Sequence, residues 1–387
     1  MTLPQTTPFS LQLPTKVRFA PQASAKVLEE ARAAGFRHAA ALVDAGALAQ
    51  PTVQTFLDEA KQSLDLRSIV EFDGGEPTYA KLEEMRPAFM ESSPECILAI
   101  GGGSVMDVGK AMAVLVTNDG PALSYRGFDQ PTEPALPIIT VPTIAGTGSE
   151  ITPNASFVDQ RELRKMGING DCVRPALAII DPCLALSCPP RPTMCSAVDS
   201  LVHATEAYVA RKATPIARLF AREAFSLVCF TLEQALDDPE DLDSRCSLAL
   251  GSLYAAIAMM NSGTGPAAAM SYPMGVRYSV PHGFAGAVFL PIVADLTREA
   301  GCLLHDELTE DPVWEGIGFS EMISVLWRRI GMPSDLQDLG VRSEEEEAFV
   351  QDVLELSAAL DQHPTPFGKT QIMESLRRLR GPTDSAE

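Results

Sequence analysis

The stretch CILAIGGGS (96–104) constrains what this chain can fold into more than any other. An apolar run too short for a helix passes straight into three glycines, and helical spacing begins at once in SVMDVGKAMAVLVT (104–117). That order describes a buried strand, a tight turn and a helix laid back on a sheet. AAALVDAG (39–46) reads as another buried strand, ending at Asp44, and LPIITVPT (136–143) and ALAIID (176–181) as two more. KVLEEARAAG (26–35) carries helical spacing between them. Strand and helix in alternation imply an α/β domain with a mostly parallel sheet.

After about residue 183 the strand pattern stops. TMCSAVDSLVHATEAYVARKA, TPIARLFAREAFSLVCFTLEQAL, SRCSLALGSLYAAIAMMNSG and FSEMISVLWRRIG all repeat apolar residues at three and four spacing, which describes an all-α second half. The Pro-rich loop at 182–192 is the expected boundary, giving an α/β domain at 1–182 and a helical domain at 183–387. The run SEEEEAF (343–349) is expected to be a solvated helix start with Ser343 as its cap.

Composition narrows the function. Its 387 residues, 46% of them hydrophobic, suffice for two cores. A formal charge of −21 argues against a sequence-independent nucleic-acid binder, since neutralising phosphates needs an excess of Lys and Arg. The N-terminus lacks a basic segment followed by an apolar one, and no apolar run reaches the roughly 18 residues a membrane span needs. The expectation is a cytoplasmic enzyme. Its eight cysteines include no C-x-x-C pair and are expected to be reduced, with Cys183, Cys188 and Cys195 as loop or packing positions.

Gly101, Gly102, Gly103 and Ser104 open a helix after a buried strand, where backbone N–H groups and the helix dipole can receive a phosphate. The spacing is not G-x-G-x-x-G, and a tight turn without ligand gives the same pattern. Asp44 closes an earlier strand, where a carboxylate accepts ribose hydroxyls and repels a 2′-phosphate, favouring NAD over NADP. TVPTIAGTGSE (140–150) adds a second hydroxyl- and glycine-rich turn. Asp199 and His203 stand four apart, on one helix face, where they can share a divalent metal or simply hydrogen-bond. His282, one of five histidines, lies between a proline and a glycine and favours the metal.

Taken together, these segments resemble the group III, iron-dependent alcohol dehydrogenases over nearly the whole chain. The resemblance rests on GGGSxxDxxKA (101–111), PTxxGTGSE (142–150), Lys165 before Gly167 and Ile168, Asp181-Pro182, DxxxHAxEAY (199–208) and PHG (281–283). PSDLQDLGV (333–341) and HPTPFGKTQIMESLRRL (363–379) are similar to the family's last helices. It implies a dinucleotide-binding domain, a helical metal-binding domain, and hydride exchange between NAD(H) and an alcohol or aldehyde in a cleft between them. It assigns Asp44 to the adenosine ribose, and Gly101 to Ser104, with Asp107 in the same motif, to the cofactor. Thr143, Thr147 and Ser149 fall on the nicotinamide side, Lys165 near the nicotinamide ribose, and Asp199, His203 and His282 become metal ligands. It also implies a homodimer paired through strands such as LQLPTKVRFA (11–20).

One departure stands out. The family's fourth ligand is a histidine fourteen positions before that of PHG, often followed by another four positions later; here those places hold Ala268 and Tyr272. Three outcomes stay open. An iron or zinc ion remains on three ligands; or the reaction runs without metal, as in maleylacetate reductases, with His203, His282 or Tyr272 as proton donor; or activity is lost and NAD binding remains. TNDGPALSYRGFD (117–129), RKMGIN (164–169) and MSYPMG (270–275) are similar to a branch containing a sugar-acid oxidase, which suggests a larger polar substrate. A dehydroquinate-synthase-like cyclase would need a phosphate-binding cluster, and only Arg211 and Lys212 follow the 199–208 stretch.

Overall fold

In this computed structural model, residues 8–22, 24–309, 316–333 and 345–380 are described. Ser343 and most of 333–341 lie outside them. The chain runs β1 (Lys16–Phe19), α1 (Ser24–Ala33), β2 (Ala39–Asp44), α2 (Ala45–Leu48), α3 (Pro51–Leu64), β3 (Ser68–Phe72), α4 (Tyr79–Ser92), β4 (Cys96–Gly101) and α5 (Gly103–Leu115). Then follow β5 (Gly127–Phe128), β6 (Ile138–Pro142), β7 (Asn154–Asp159), β8 (Arg164–Asn169) and β9 (Leu177–Ile180). Helices complete the described residues: α6 (Pro190–Val209), α7 (Pro215–Asp237), α8 (Leu242–Met260), α9 (Pro266–Tyr278), α10 (His282–Ala287), α11 (Leu290–Glu299), α12 (Phe319–Ile330), α13 (Glu346–Glu355), α14 (Ser357–Leu360) and α15 (Lys369–Leu379).

The α/β unit is built on a six-stranded sheet in the order β1-β9-β6-β4-β2-β3, with every pairing parallel. Its strands read as unbroken apolar runs because both faces are covered. Ala40, Leu42 and Ile97 face α4 and α5 through Leu82, Phe89, Val105 and Val108. Ala39, Ala41, Leu98 and Ile100 face α1 and α3 through Leu28, Phe56 and Leu57. From β2 the chain moves outward to β3, and from β4 it moves the other way to β6. The point between β2 and β4 is therefore the switch where open α/β sheets bind ligands.

A second sheet, β5-β8-β7, was not expected from the sequence. Neither was the inclusion of Asp238–Ala249 in the compact unit formed by Leu13–Thr193. Arg245 anchors that segment. Its buried guanidinium donates to Cys188 O, Thr193 Oγ1 and Pro239 O, tying 238–249 to the Pro-rich loop. Residues 8–12 belong to the helical unit, where Asn261 and the Gln12 backbone exchange two hydrogen bonds. None of the eight cysteines is in a disulfide.

Candidate nucleotide and metal sites

Three strand ends meet in the α/β unit. Val43 pairs with Ile100 and Gly101 with Pro142, so Asp44, Gly101 and Thr143 stand side by side at the carboxyl edge. The Thr143 N–H donates to Gly101 O at 3.1 Å. Asp44 caps α2 through Ala47 N, leaving carboxylate capacity for a further donor. The glycines are required by the fold itself. A Cβ at Gly101 would lie 2.8 Å from Val105 Cβ, and one at Gly103 would lie 2.8 Å from Thr147 Cγ2. No side chain caps the first turn of α5, so its leading N–H groups, including that of Ser104, point at the switch with the dipole's positive end.

Behind this edge lies a residue of the GGGSxxDxxKA motif to which the sequence assigned no role. Lys110 is fully buried on α5 and donates to Ser149 Oγ and Asn154 O, both at 2.7 Å. Ser149 Oγ in turn donates to Asp107 at 2.6 Å, and the other Asp107 oxygen accepts from Ser156 N at 2.9 Å. Asp107 and Ser149 are thus committed to one another, and what they do is clamp the 143–153 turn to α5. Burial lowers Lys110 to about 8, against the pull of Asp107 and Glu150. The i, i+3 spacing of Asp107 and Lys110 in an otherwise apolar helix was the available signal. Lys165 sits on β8, ion-paired with Glu76 at 2.8 Å.

In the helical unit, Asp199, His203 and His282 come together, with one ligand atom of each within 4.8 Å of the others. Asp199 and His203 lie one turn apart on α6, with His203 Nε2 at 3.7 Å from Asp199 Oδ1. His282 opens α10 and places Nε2 at 4.0 Å from the same oxygen. The glycine of PHG is what allows this approach. A Cβ on Gly283 would fall 1.8 Å from the carbonyl oxygen of Cys195 on α6 and 3.2 Å from Asp199 Cβ. The α6 and α10 backbones therefore touch where the ligands converge.

The Asp199 carboxylate is buried, and its partners among the described residues are these two imidazoles, both too distant for a hydrogen bond. A buried anion without a donor is costly, and one cation within reach of all three groups removes that cost. One carboxylate and two imidazoles suit iron or zinc. The donor set fits a divalent metal.

Ala268 and Tyr272 lie one turn apart on α9, and the Tyr272 ring meets that of His282 edge-on at 5.5 Å. Two residues to which the sequence assigned no role hold α9. Glu206, buried on α6, accepts from Gly265 N and Ala267 N at 2.7 and 2.6 Å and more weakly from Ala268 N, capping the helix. Burial pushes its carboxyl up to about 7 against those donors. Ser271 donates to Ala268 O at 2.7 Å and lies 3.0 Å from His282 Nδ1. His203 Nδ1, by contrast, is buried without a partner among the described residues.

Comparison with known proteins identifies the family. Residues 14–182 match the family described as iron-containing alcohol dehydrogenase, and residues 193–379 match the Fe-containing alcohol dehydrogenase family, C-terminal. A 1,3-propanediol dehydrogenase of Citrobacter freundii is 32% identical over 86% of this chain and 89% of its own. A solved structure of 1,3-propanediol oxidoreductase superposes with a TM-score of 0.87 at 28% identity, covering 96% of this chain and all of that one. A sulfoacetaldehyde reductase from Bifidobacterium kashiwanohense, in complex with NAD+, gives 0.87 at 25% identity over 97% of this chain and 100% of that one. The strand-end turn, the carboxylate with its two imidazoles and these matches lead to one conclusion: the chain belongs to the iron-containing alcohol dehydrogenase family and is an oxidoreductase acting on CH–OH groups.

Proposed function

We propose that this protein interconverts a primary alcohol and its aldehyde by hydride exchange with NAD(H), using a divalent metal, iron or zinc, held by Asp199, His203 and His282. The observation that carries the reading is the buried Asp199 carboxylate, with two ring nitrogens facing it at 3.7 and 4.0 Å. When bound, the metal supplies Lewis-acid polarisation of the substrate oxygen and the nicotinamide carries the hydride. Asp199 supplies the negative charge that holds the cation, and His203 and His282 supply neutral nitrogen donors. Asp44 accepts the adenosine ribose hydroxyls and disfavours a 2′-phosphate. The N-terminus of α5, opened by Gly101, Gly102, Gly103 and Ser104, receives the pyrophosphate. Thr143 and Thr147 border the nicotinamide end, Lys165 serves its ribose, and Asp107 and Ser149 hold the turn in place.

The substrate is a small polar alcohol or aldehyde, in keeping with the diol and the sulfonated aldehyde named for two relatives. The protein works as a homodimer joined through the free edge of β1, the outermost strand of its sheet. No described helix is long and apolar enough to cross a membrane, and the cytoplasm is the proposed location.

A second reading is favoured by Tyr272, whose ring lies against His282. In a metal-free reductase its phenol, or an imidazolium at His203 or His282, would protonate the alkoxide. Elemental analysis of protein purified without added metal separates the two, combined with NADH oxidation by an aldehyde panel before and after chelation. Near one equivalent of iron or zinc, with activity lost on chelation, is expected. Full activity without metal would replace the first reading by the second.

A further inference from the structure

We infer that Ser271 is a positioning residue that fixes the ring tautomer of His282 and leaves its Nε2 lone pair directed toward Asp199. The inference rests on the proposed metal reading and adds a residue to it. Ser271 is buried on α9, and its hydroxyl lies 2.7 Å from Ala268 O, three residues earlier. A carbonyl oxygen only accepts, and a serine hydroxyl has one proton, so that proton is committed to Ala268 O. The His282 Nδ1 atom, 3.0 Å from the same hydroxyl oxygen, must then be the donor. A metal-ligating imidazole is neutral and carries one N–H, so under the proposed metal reading Nε2 is the acceptor, and it faces Asp199 Oδ1 at 4.0 Å.

In that state the ring nitrogen and the carboxylate oxygen are two acceptors facing one another. The pair is arranged for a cation, and a hydrogen bond from the far ring nitrogen is the usual means of orienting a ligating histidine. The main-chain end of the device is fixed as well, because Glu206 holds the first turn of α9 through Gly265, Ala267 and Ala268. The edge-on Tyr272 ring supports the imidazole at 5.5 Å. His203 has no equivalent, since its Nδ1 is buried without a partner among the described residues. The assignment also bears on metal-free chemistry, because a neutral His282 in this tautomer has no Nε2 proton to give a substrate.

The test uses the full chain stripped of metal by chelation, as wild type, Ser271→Ala and Ser271→Thr. Cobalt(II) affinity is read by absorption titration, and the His282 ring nitrogens by nitrogen-15 NMR of histidine-labelled protein. NADH binding, a property of the other unit, serves as the folding control. Expected are a protonated Nδ1 and bare Nε2 in wild type, about 10- to 100-fold weaker cobalt binding in Ser271→Ala with a mixed tautomer, and recovery in Ser271→Thr. Cobalt binding by Ser271→Ala equal to wild type, with an unchanged tautomer, overturns the role of Ser271 while sparing the metal reading. Wild type that shows the expected tautomer yet binds no cobalt overturns the metal reading and the ligand role together. If Ser271→Ala does not fold, the wild-type spectrum decides: a protonated Nε2 overturns the inference, and a protonated Nδ1 with recovery in Ser271→Thr supports it.

Discussion

The two sites solve opposite problems. Around the strand-end turn of the α/β unit the buried polar groups satisfy one another: Lys110, Asp107 and Ser149 form a closed set that also takes in the backbone of Asn154 and Ser156. Around Asp199 in the helical unit the polar atoms are held apart, and His203 Nδ1 has no partner among the described residues. The first region is tied together by its own hydrogen bonds, and in the proposed function its backbone receives the cofactor. In the second, the carboxylate and the imidazoles face one another without direct hydrogen bonds, and in the proposed function a cation meets that need.

Replacing Asp199 should have the largest effect on function. Asp199→Ala is expected to lower kcat/KM by more than about 100-fold, since losing even a supporting partner of a metal ligand costs about 10- to 100-fold. NADH affinity, measured by fluorescence titration, should stay unchanged; a parallel loss would mean that the two regions are not separable. Gly283→Ala attacks the same unit through its packing. With no room for a Cβ beside Cys195 O, the change should cost about 3 kcal/mol or more in urea unfolding followed by tryptophan emission, which reports the helical unit through Trp327.

Acid should act on the same side of the comparison. Burial lowers His305 to about 4 and His363 to about 3, the latter helped by His305 and Arg211, and both lie in the helical unit. Below pH 6.5 the unfolded chain protonates these rings while the folded one does not, so the unfolded state binds more protons and stability falls as pH falls from 6.5 to about 4. The slope should be roughly 1 kcal/mol per histidine for each pH unit, and His363→Gln should flatten it in urea titrations at pH 5 and 7.5. The smallest effect belongs to the other region. Gly103→Ala, which drives a methyl group against Thr147, should raise the Kd for NADH about tenfold with little change in cobalt affinity.

Much of the α/β unit was legible because its signals are local. Buried strands such as Cys96–Gly101 are continuous apolar runs, and the turns that end them carry Asp44 and Gly101 at the positions the sheet requires. Asp199 and His203 could be paired from spacing, since four residues make one helical turn. The small sheet was hidden because β5 is two residues long and pairs with β8 from a distant segment, while β7 and β8 lack a continuous apolar run. Helix α9 was hidden by Pro266, Pro273 and Gly275, which read as breakers although the first occupies the tolerated N1 position. Ser271 and the anchoring of 238–249 by Arg245 depend on contacts that no window of sequence contains.

The close approach of Gly283 to Cys195 also shapes how this site can change over time. Position 283 admits no side chain, so the α6 and α10 segments carrying Asp199, His203 and His282 can hardly drift without losing the fold. Helix α9 meets the site through side chains, with Tyr272 and Ser271 against His282 and Ala268 on the same helix. Substitutions on α9 therefore change what surrounds His282 while the close approach of α6 and α10 stays fixed.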